Sequence, residues 1–148
     1  LDELHPLVLH YSGHGDETGA LYFEQDGGRS AAVRATALVE LVRLIRTQGL
    51  PRLILLNACH SSVLARQLAD GSAVPHAIGM REPIDDRAAI LFSDAFYRKL
   101  IAGGSIQSAF LFGRNRIALD HLVHRQAELP ELFTAPGEDA EEVLLPTR

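Results

Sequence analysis

Two rhythms of hydrophobic residues alternate along the chain. Short apolar runs bounded by turn residues read as strands: 6–12 (PLVLHYS), 20–25 (ALYFEQ), 52–57 (RLILLN) and 73–80 (AVPHAIGM), the last interrupted by Pro75 near its start. The unbroken run at 52–57 is of the kind found in parallel sheets covered on both faces. Asp26-Gly27-Gly28 is a strong turn signal and makes 20–25 one arm of a hairpin. Between these runs the apolar spacing changes to three and four. Leu38, Leu41, Val42 and Ile45 predict a helix with Thr36 as its N-cap and Gly49 and Pro51 as its stop. Val63, Leu64 and Leu68 predict a helix over 62–70, capped by Ser61 or Ser62 and ended by Gly71. A longer helix, 86–102, carries Ile90, Leu91, Phe92, Phe96, Tyr97, Leu100 and Ile101 and stops at Gly103-Gly104. Ser105 caps a further helix through about 120–126, with Gly113 as a weak point. The tail, 130–148, holds a strand-like ELFTA at 131–135 and the acidic residues Glu138, Asp139, Glu141 and Glu142, expected as a solvated end or linker.

Strands alternating with helices imply right-handed crossovers and a mostly parallel sheet, an α/β three-layer domain. In such sheets the chemistry gathers beyond the carboxyl ends of the strands. His14 and Cys59 each fall just after a predicted strand, so two adjacent parallel strands would bring them to one edge.

Composition narrows the class. The 148 residues suffice for one domain with a real core, and 47% hydrophobic with 22% charged content is the profile of a globular chain. A net charge of −5 offers no nucleic-acid footprint, and Arg114 and Arg116 read as a solvated helix face. No apolar run approaches the ~18 residues that would span a bilayer. The single cysteine excludes an internal disulfide and favours a reducing compartment, hence a cytoplasmic location. The first residue is Leu1 rather than Met, so the chain is expected to be a fragment, a processed subunit or an excised domain.

That single cysteine carries the chemical argument. It lies in Leu56-Asn57-Ala58-Cys59-His60-Ser61, 45 positions after the histidine of Ser12-Gly13-His14-Gly15. A Cys-His hydrolase needs a sulfur nucleophile, an imidazole to move protons and donors for the oxyanion. Cys59 supplies the sulfur, just before a helix N-terminus that favours the thiolate. His14 supplies the imidazole. Gly13 and Gly15 let substrate approach the backbone, and the N–H groups of Gly15 and Cys59 are candidates for the oxyanion hole. His10, within its strand, and His76 read as structural, and His60 as a group at the strand end facing away from Cys59. A zinc site from His10, His14, Cys59 and His60 is disfavoured, because the spacing fits no usual module and a second thiolate is absent. No metal or cofactor is expected.

The motifs YSGHG and LLNACHSS, with the later segment AIGMREPIDDRAAILFSDAFYRKLIAGGSIQSAF, resemble the caspase-like (clan CD) cysteine peptidases, and most of all the bacterial caspase-like and CHAT-type branch. The later segment matches in its IGM, AA-x-x-F, FY-x-x-L and G-x-SI-x-x-AF patterns. The resemblance implies a caspase-like fold, with His14 and Cys59 as the dyad and Gly15 as an oxyanion donor. It also implies that the first strands of the sheet are missing here, to be completed by an upstream segment or a separate chain. The peptidase domain then covers 1–128, and 129–148 adds a C-terminal strand and acidic tail. Metacaspases carry an acid two places before the Cys; Asn57 stands there, so specificity for Arg or Lys does not carry over by that route. Asp85 or Asp86 falls where separase-like members place a pocket acid, and Ser12 can line the cleft or serve only the turn. Asp85 and Asp86 read first as a helix N-terminal pair favoured by the dipole, ahead of the pocket role.

Two functions follow. One is a cysteine endopeptidase acting on a protein substrate, gated within a larger bacterial defence or cell-death regulator that joins it to sensor or scaffold modules. The other is a catalytically silent caspase-like module that binds partners. Neither nucleic acid nor membrane is expected as a partner.

Overall fold

The computed structural model describes residues 5–147. Strands β1 (Val8–Ser12), β4 (Leu53–Asn57) and β5 (His76–Met80) run parallel, and β6 (Pro130–Thr134) closes the sheet antiparallel to β5, giving the order β1-β4-β5-β6. A separate hairpin, β2 (Leu21–Gln25) and β3 (Arg29–Val33), lies between β1 and the first helix, so the Asp26-Gly27-Gly28 turn does join two arms. Helices α1 (Ala35–Ile45), α2 (Ser62–Asp70), α3 (Asp86–Ile101) and α4 (Ile106–Ala118) complete an α/β three-layer domain with a mostly parallel sheet. Among the described residues, no helix is long and apolar enough to cross a membrane.

The alternation of β4 decides which helix covers which face. Ile54 and Leu56 join α1 and α2 residues such as Val42 and Leu64 in one core, whereas Leu53 and Leu55 join Phe92, Phe96 and Ile106 of α3 and α4 in the other. β1 divides likewise, with Leu9 and Tyr11 on the first side and Val8 on the second. All five residues of β4 and of β5 are buried, as an interior parallel strand requires.

Several local expectations change. Helix α1 begins at Ala35 with Arg34 at the N-cap position and no side-chain cap, so Thr36 lies inside the helix. It ends at Ile45, before Gly49, and a Thr47–Leu50 bridge turns the chain into β4. Ser105 does cap α4, accepting the Ser108 N–H at 3.0 Å. That helix stops at Ala118, where the buried Asp120 accepts the Leu122 and Val123 N–H groups and reverses the chain. Gly113 is no weak point: a Cβ there would stand 2.6 Å from the Phe92 ring, so the missing side chain lets α3 and α4 pack closely.

Glu138, Asp139 and Glu141 of the acidic tail are exposed as expected, but the tail is tied to the domain rather than loose. It crosses beneath the amino ends of the strands, where Arg52 pairs with Glu138 at 2.9 Å and Glu142 at 2.7 Å. Backbone carbonyls of Glu142 and Ala140 accept the Ile106 and Gln107 N–H groups at the start of α4. His76, fully buried as expected, meets Glu142 at 2.7 Å through Nε2 and Thr134 at 3.2 Å through Nδ1. His76, Glu138 and Glu142 bring three ligand-type atoms within 4.8 Å of one another, but the Arg52 guanidinium already supplies the positive charge between the two carboxylates.

Candidate active site

The parallel register of β1 and β4 builds the site. Ser12 pairs with Asn57 at the last rung, and the Gly13 N–H continues the ladder to the Asn57 carbonyl at 3.2 Å. His14 and Cys59 each stand two residues beyond that rung. Both line one open groove of about 980 Å³ at the carboxyl edge of the sheet. Ser12, Asn57 and Asp86 line it too. The two motifs that the sequence separates by 45 positions therefore meet at one place, as adjacent parallel strands demand.

The loop after β1 is held from below and from the side. Tyr11 folds its hydroxyl under the loop and donates to the Tyr22 carbonyl at 2.5 Å, while the Tyr22 N–H donates to the His14 carbonyl at 3.0 Å. Asp16 accepts the Thr18 hydroxyl, and also the Tyr22 hydroxyl and the Thr18 N–H at 2.9 Å each, and the two hydroxyls above all hold its carboxyl below the usual range. The hairpin thus braces His14 from a second sheet, a role the sequence did not announce.

Gly15 sits where only a backbone fits. An added Cβ would lie 2.5 Å from the Cys59 carbonyl oxygen and 3.4 Å from Ala58 Cβ. Its bridge to Leu21 uses the amides of Asp16 and Tyr22. The N–H groups of Gly15 and Cys59 have no backbone acceptor among the described residues; Cys59 lines the groove, whereas Gly15 is not among its lining residues.

The turn carrying Cys59 is equally constrained. His60 adopts a left-handed conformation with φ of 59°, which lets the chain leave β4 and enter α2 within a few residues. His60 is not among the groove residues, so the imagined four-residue zinc set is not brought together. Ser61 occupies the N-cap position of α2 but makes no side-chain cap bond. Its buried hydroxyl instead reaches the Leu56 and Ala58 carbonyls at 3.0 and 2.7 Å and accepts the Met80 N–H at 2.9 Å, tying the Cys59 turn to the end of β5. Cys59 itself is partly accessible.

The opposite wall of the groove is α3. One face of that helix, with Phe92, Phe96 and Leu100, is buried on the sheet. A second stripe, which includes Asp86, Ile90, Ser93, Asp94, Tyr97 and Ile101, looks into the groove. Ile90 and Ile101 are each 67% exposed, so the apolar spacing that suggested a core position describes a second face instead. The N-terminal acids separate: Asp86 faces the groove, whereas Asp85, the other expected pocket acid, is held by Gln126, its carboxylate accepting Nε2–H at 2.7 Å. His10 stacks on Tyr97 at 5.7 Å between ring centroids and meets its hydroxyl at 2.8 Å through Nδ1. His10 keeps one side exposed, and its partial desolvation against Tyr97 lowers its pKa; desolvation pushes that of Tyr97 up to about 12. Ser93 and Tyr97 lie one helical turn apart, a spacing that sequence reasoning passed over and that places both on this wall.

Comparison with known proteins agrees with the geometry. The CHAT domain family matches residues 2–128. The chain is 24% identical over 137 residues to a Roc-COR-CHAT protease from an unknown prokaryotic organism, a match covering 86% of this chain and 13% of that protein. It is 34% identical over 92 residues to a Roc-COR-CHAT protease of Runella zeae, covering 61% of this chain and 10% of that protein. The chain therefore spans only about a tenth of the length of either relative. With the family match extending over nearly the whole α/β domain and both loops of the groove, the chain belongs to the CHAT domain family, a caspase-like (clan CD) fold.

Proposed function

We propose that this chain is the peptidase domain of a caspase-like cysteine endopeptidase and cuts a protein substrate at the groove that holds His14 and Cys59. The observation that carries this reading is the Ser12–Asn57 rung, which sets both side chains two residues beyond one pair of parallel strands. The names of the two relatives support it.

In this reading the Cys59 thiol gives its proton to His14 and the sulfur attacks the scissile carbonyl. The oxyanion of the tetrahedral intermediate accepts the N–H groups of Gly15 and Cys59. His14 then returns the proton to the leaving amine, and the C–N bond breaks to leave a thioester on Cys59. Water, deprotonated by His14, hydrolyses the thioester and restores the thiol. No metal or cofactor enters any step.

The domain is further proposed to work inside a larger, gated bacterial defence or cell-death regulator. The share of the relatives that it matches, 13% and 10%, fits such a setting. Among the described residues, β1 has β4 as its single neighbour, and an upstream segment or a separate chain would add a strand at its open edge.

The test is covalent labelling of the full chain with a peptidyl electrophile, followed by mass mapping. Cys59 carries the label, and Cys59→Ala and His14→Ala abolish cleavage of the protein substrate. A His14→Ala protein that cleaves at the parent rate overturns the dyad, and an unlabelled Cys59 favours the silent binding module.

A further inference from the structure

We propose that Gln126 and Asp120 are positioning residues for the groove: through Asp85 and Arg87 they hold the first turn of α3, and with it the wall that shares the groove with His14 and Cys59. This rests on the peptidase reading above and adds to it two residues that touch no substrate.

The wall that follows β5 in the chain begins with Ile84, Asp86, Ala89 and Ile90, all of which line the groove. Little packing fixes its start. Within residues 81–90, Ala88 alone is fully buried. One methyl group sets how deep a helical turn sits, not how it is rotated. The helix does not cap itself either. Asp85 occupies the N-cap position of α3, yet its side chain makes no cap bond, although a carboxylate there normally accepts the first free N–H groups.

That carboxylate is engaged elsewhere. It accepts Gln126 Nε2–H at 2.7 Å, while the Asp85 N–H donates to Gln126 Oε1 at 2.8 Å, so a single amide grips both the side chain and the backbone of Asp85. Two residues on, Arg87 donates from Nε at 3.1 Å and Nη2 at 2.6 Å to the Asp120 carboxylate, a bidentate pair with a fixed geometry. Asp120 is buried and is itself held by the Leu122 and Val123 N–H groups. A backbone bond completes the attachment, from the Arg81 N–H to the Leu129 carbonyl at 2.8 Å. Residues 81–87 therefore hang on the segment 120–129, which Val123 and Ala127 root in the core. The two neighbours of Asp86 are both drawn to that segment, and Asp86 is left in the groove. Neither Gln126 nor Asp120 lines the groove, so whatever they do for it passes through Asp85 and Arg87. Exposed bonds of this kind add little to stability. Their weight lies in geometry, since a substrate misplaced by about 1 Å can lose about 10²-fold in rate.

The test compares two reagents at Cys59 of the full chain. A peptidyl acyloxymethyl ketone must fill the groove to react, whereas iodoacetamide needs only the thiol. Gln126→Leu and Asp85→Leu each slow the peptidyl reagent about tenfold and leave iodoacetamide unchanged. The loss lies in the reagent concentration that gives half the maximal rate, not in the maximal rate. The double variant is no slower than either single one, as two partners of one contact require. Asp85→Asn keeps an acceptor for Gln126 without the charge and reacts close to the parent rate. Arg87→Met, which frees Asp120 from α3, slows the peptidyl reagent in the same manner. A Gln126→Leu protein that reacts at the parent rate overturns the role of Gln126, and an Arg87→Met protein that does so overturns that of Asp120. Losses that multiply in the double variant, or an Asp85→Asn protein as slow as Asp85→Leu, assign the effect to something other than the contact and also overturn the proposal. So does an equal fall with both reagents, which would mean that Cys59 itself has moved. A parent chain that no such peptidyl reagent labels overturns the peptidase reading, and the positioning role with it.

Discussion

Gly15 and Cys59 meet backbone to backbone: a single carbon added at Gly15 would stand 2.5 Å from the Cys59 carbonyl oxygen. The loop after β1 and the turn after β4 are thereby fitted to each other without an intervening side chain. Gly15 has no need of a left-handed φ, so an alanine there is refused by contact alone. Gly15→Ala is expected to push the two loops apart and move one oxyanion donor. Turnover should fall by about 10²–10³-fold, the usual loss on removing such a donor. Cleavage rates beside circular dichroism would check it; an alanine variant that is folded and fully active would show that the Gly15 amide plays no part.

Ser61 fixes the turn from beneath. Its hydroxyl is the acceptor for the buried Met80 N–H and closes on the Leu56 and Ala58 carbonyls. Ser61→Ala strands that N–H, which costs about 1–3 kcal/mol. Urea denaturation should show the loss as a lower midpoint with an unchanged slope. Because the same hydroxyl anchors the segment bearing Cys59, the rate of thiol labelling should fall as well. A midpoint equal to that of the parent would mean that water replaces the hydroxyl.

The strands and helices were legible because their apolar periods differ, and helix 62–70 coincides with α2, Ser62–Asp70. The site was legible in part for the same reason: strand ends mark the edge where the groove lies, and His14 and Cys59 follow strand ends. Three things were hidden. Ser61 looks like any helix cap from sequence, since hydroxyl chemistry at that position does not say whether it turns toward α2 or toward β5. The stripe of α3 that faces the groove mixes Ile90 and Ile101 with Asp86 and Asp94, and its exposed isoleucines imitate a core pattern. The acidic tail reads as solvent-loving, because Arg52 and His76, which bind it, lie 86 and 66 residues from Glu138 and Glu142 respectively. Each miss is a long-range partnership that local period cannot express.

Gly113 tests the packing of the layer behind the groove. Its Cα lies so close to α3 that a Cβ would stand 2.6 Å from two atoms of the Phe92 ring and 3.1 Å from the Phe92 carbonyl. Helix propensity alone would favour alanine by about 1 kcal/mol. Overpacking of this kind costs about 1–3 kcal/mol, and Phe92, fully buried, has nowhere to retreat. Gly113→Ala is therefore expected to destabilise in thermal or urea denaturation. A stabilised variant would show that α3 and α4 separate freely.

His10 sets a pH dependence whose direction follows from its surroundings. Partial desolvation beside Tyr97 lowers its pKa below the usual 6.5, so the folded state binds its proton later than the unfolded chain does. Above about pH 6.5 both states are neutral at this position and stability is indifferent to it. As pH falls through that value the unfolded chain protonates first, and stability declines until folded His10 is protonated too. The variant His10→Leu lacks this term. Its urea midpoint should fall less than that of the parent between pH 7 and the acid side of 6.5. A second readout separates this from other titrating groups. Protonation of His10 puts a proton on both ring nitrogens, and the Nε2 that faces Asn57 Nδ2 at 3.4 Å then opposes it donor to donor. The quenching or shift of Tyr97 fluorescence should track the same acid transition in the parent and be absent in His10→Leu. Equal acid sensitivity of the two proteins would assign the effect elsewhere and leave His10 uncoupled from the groove.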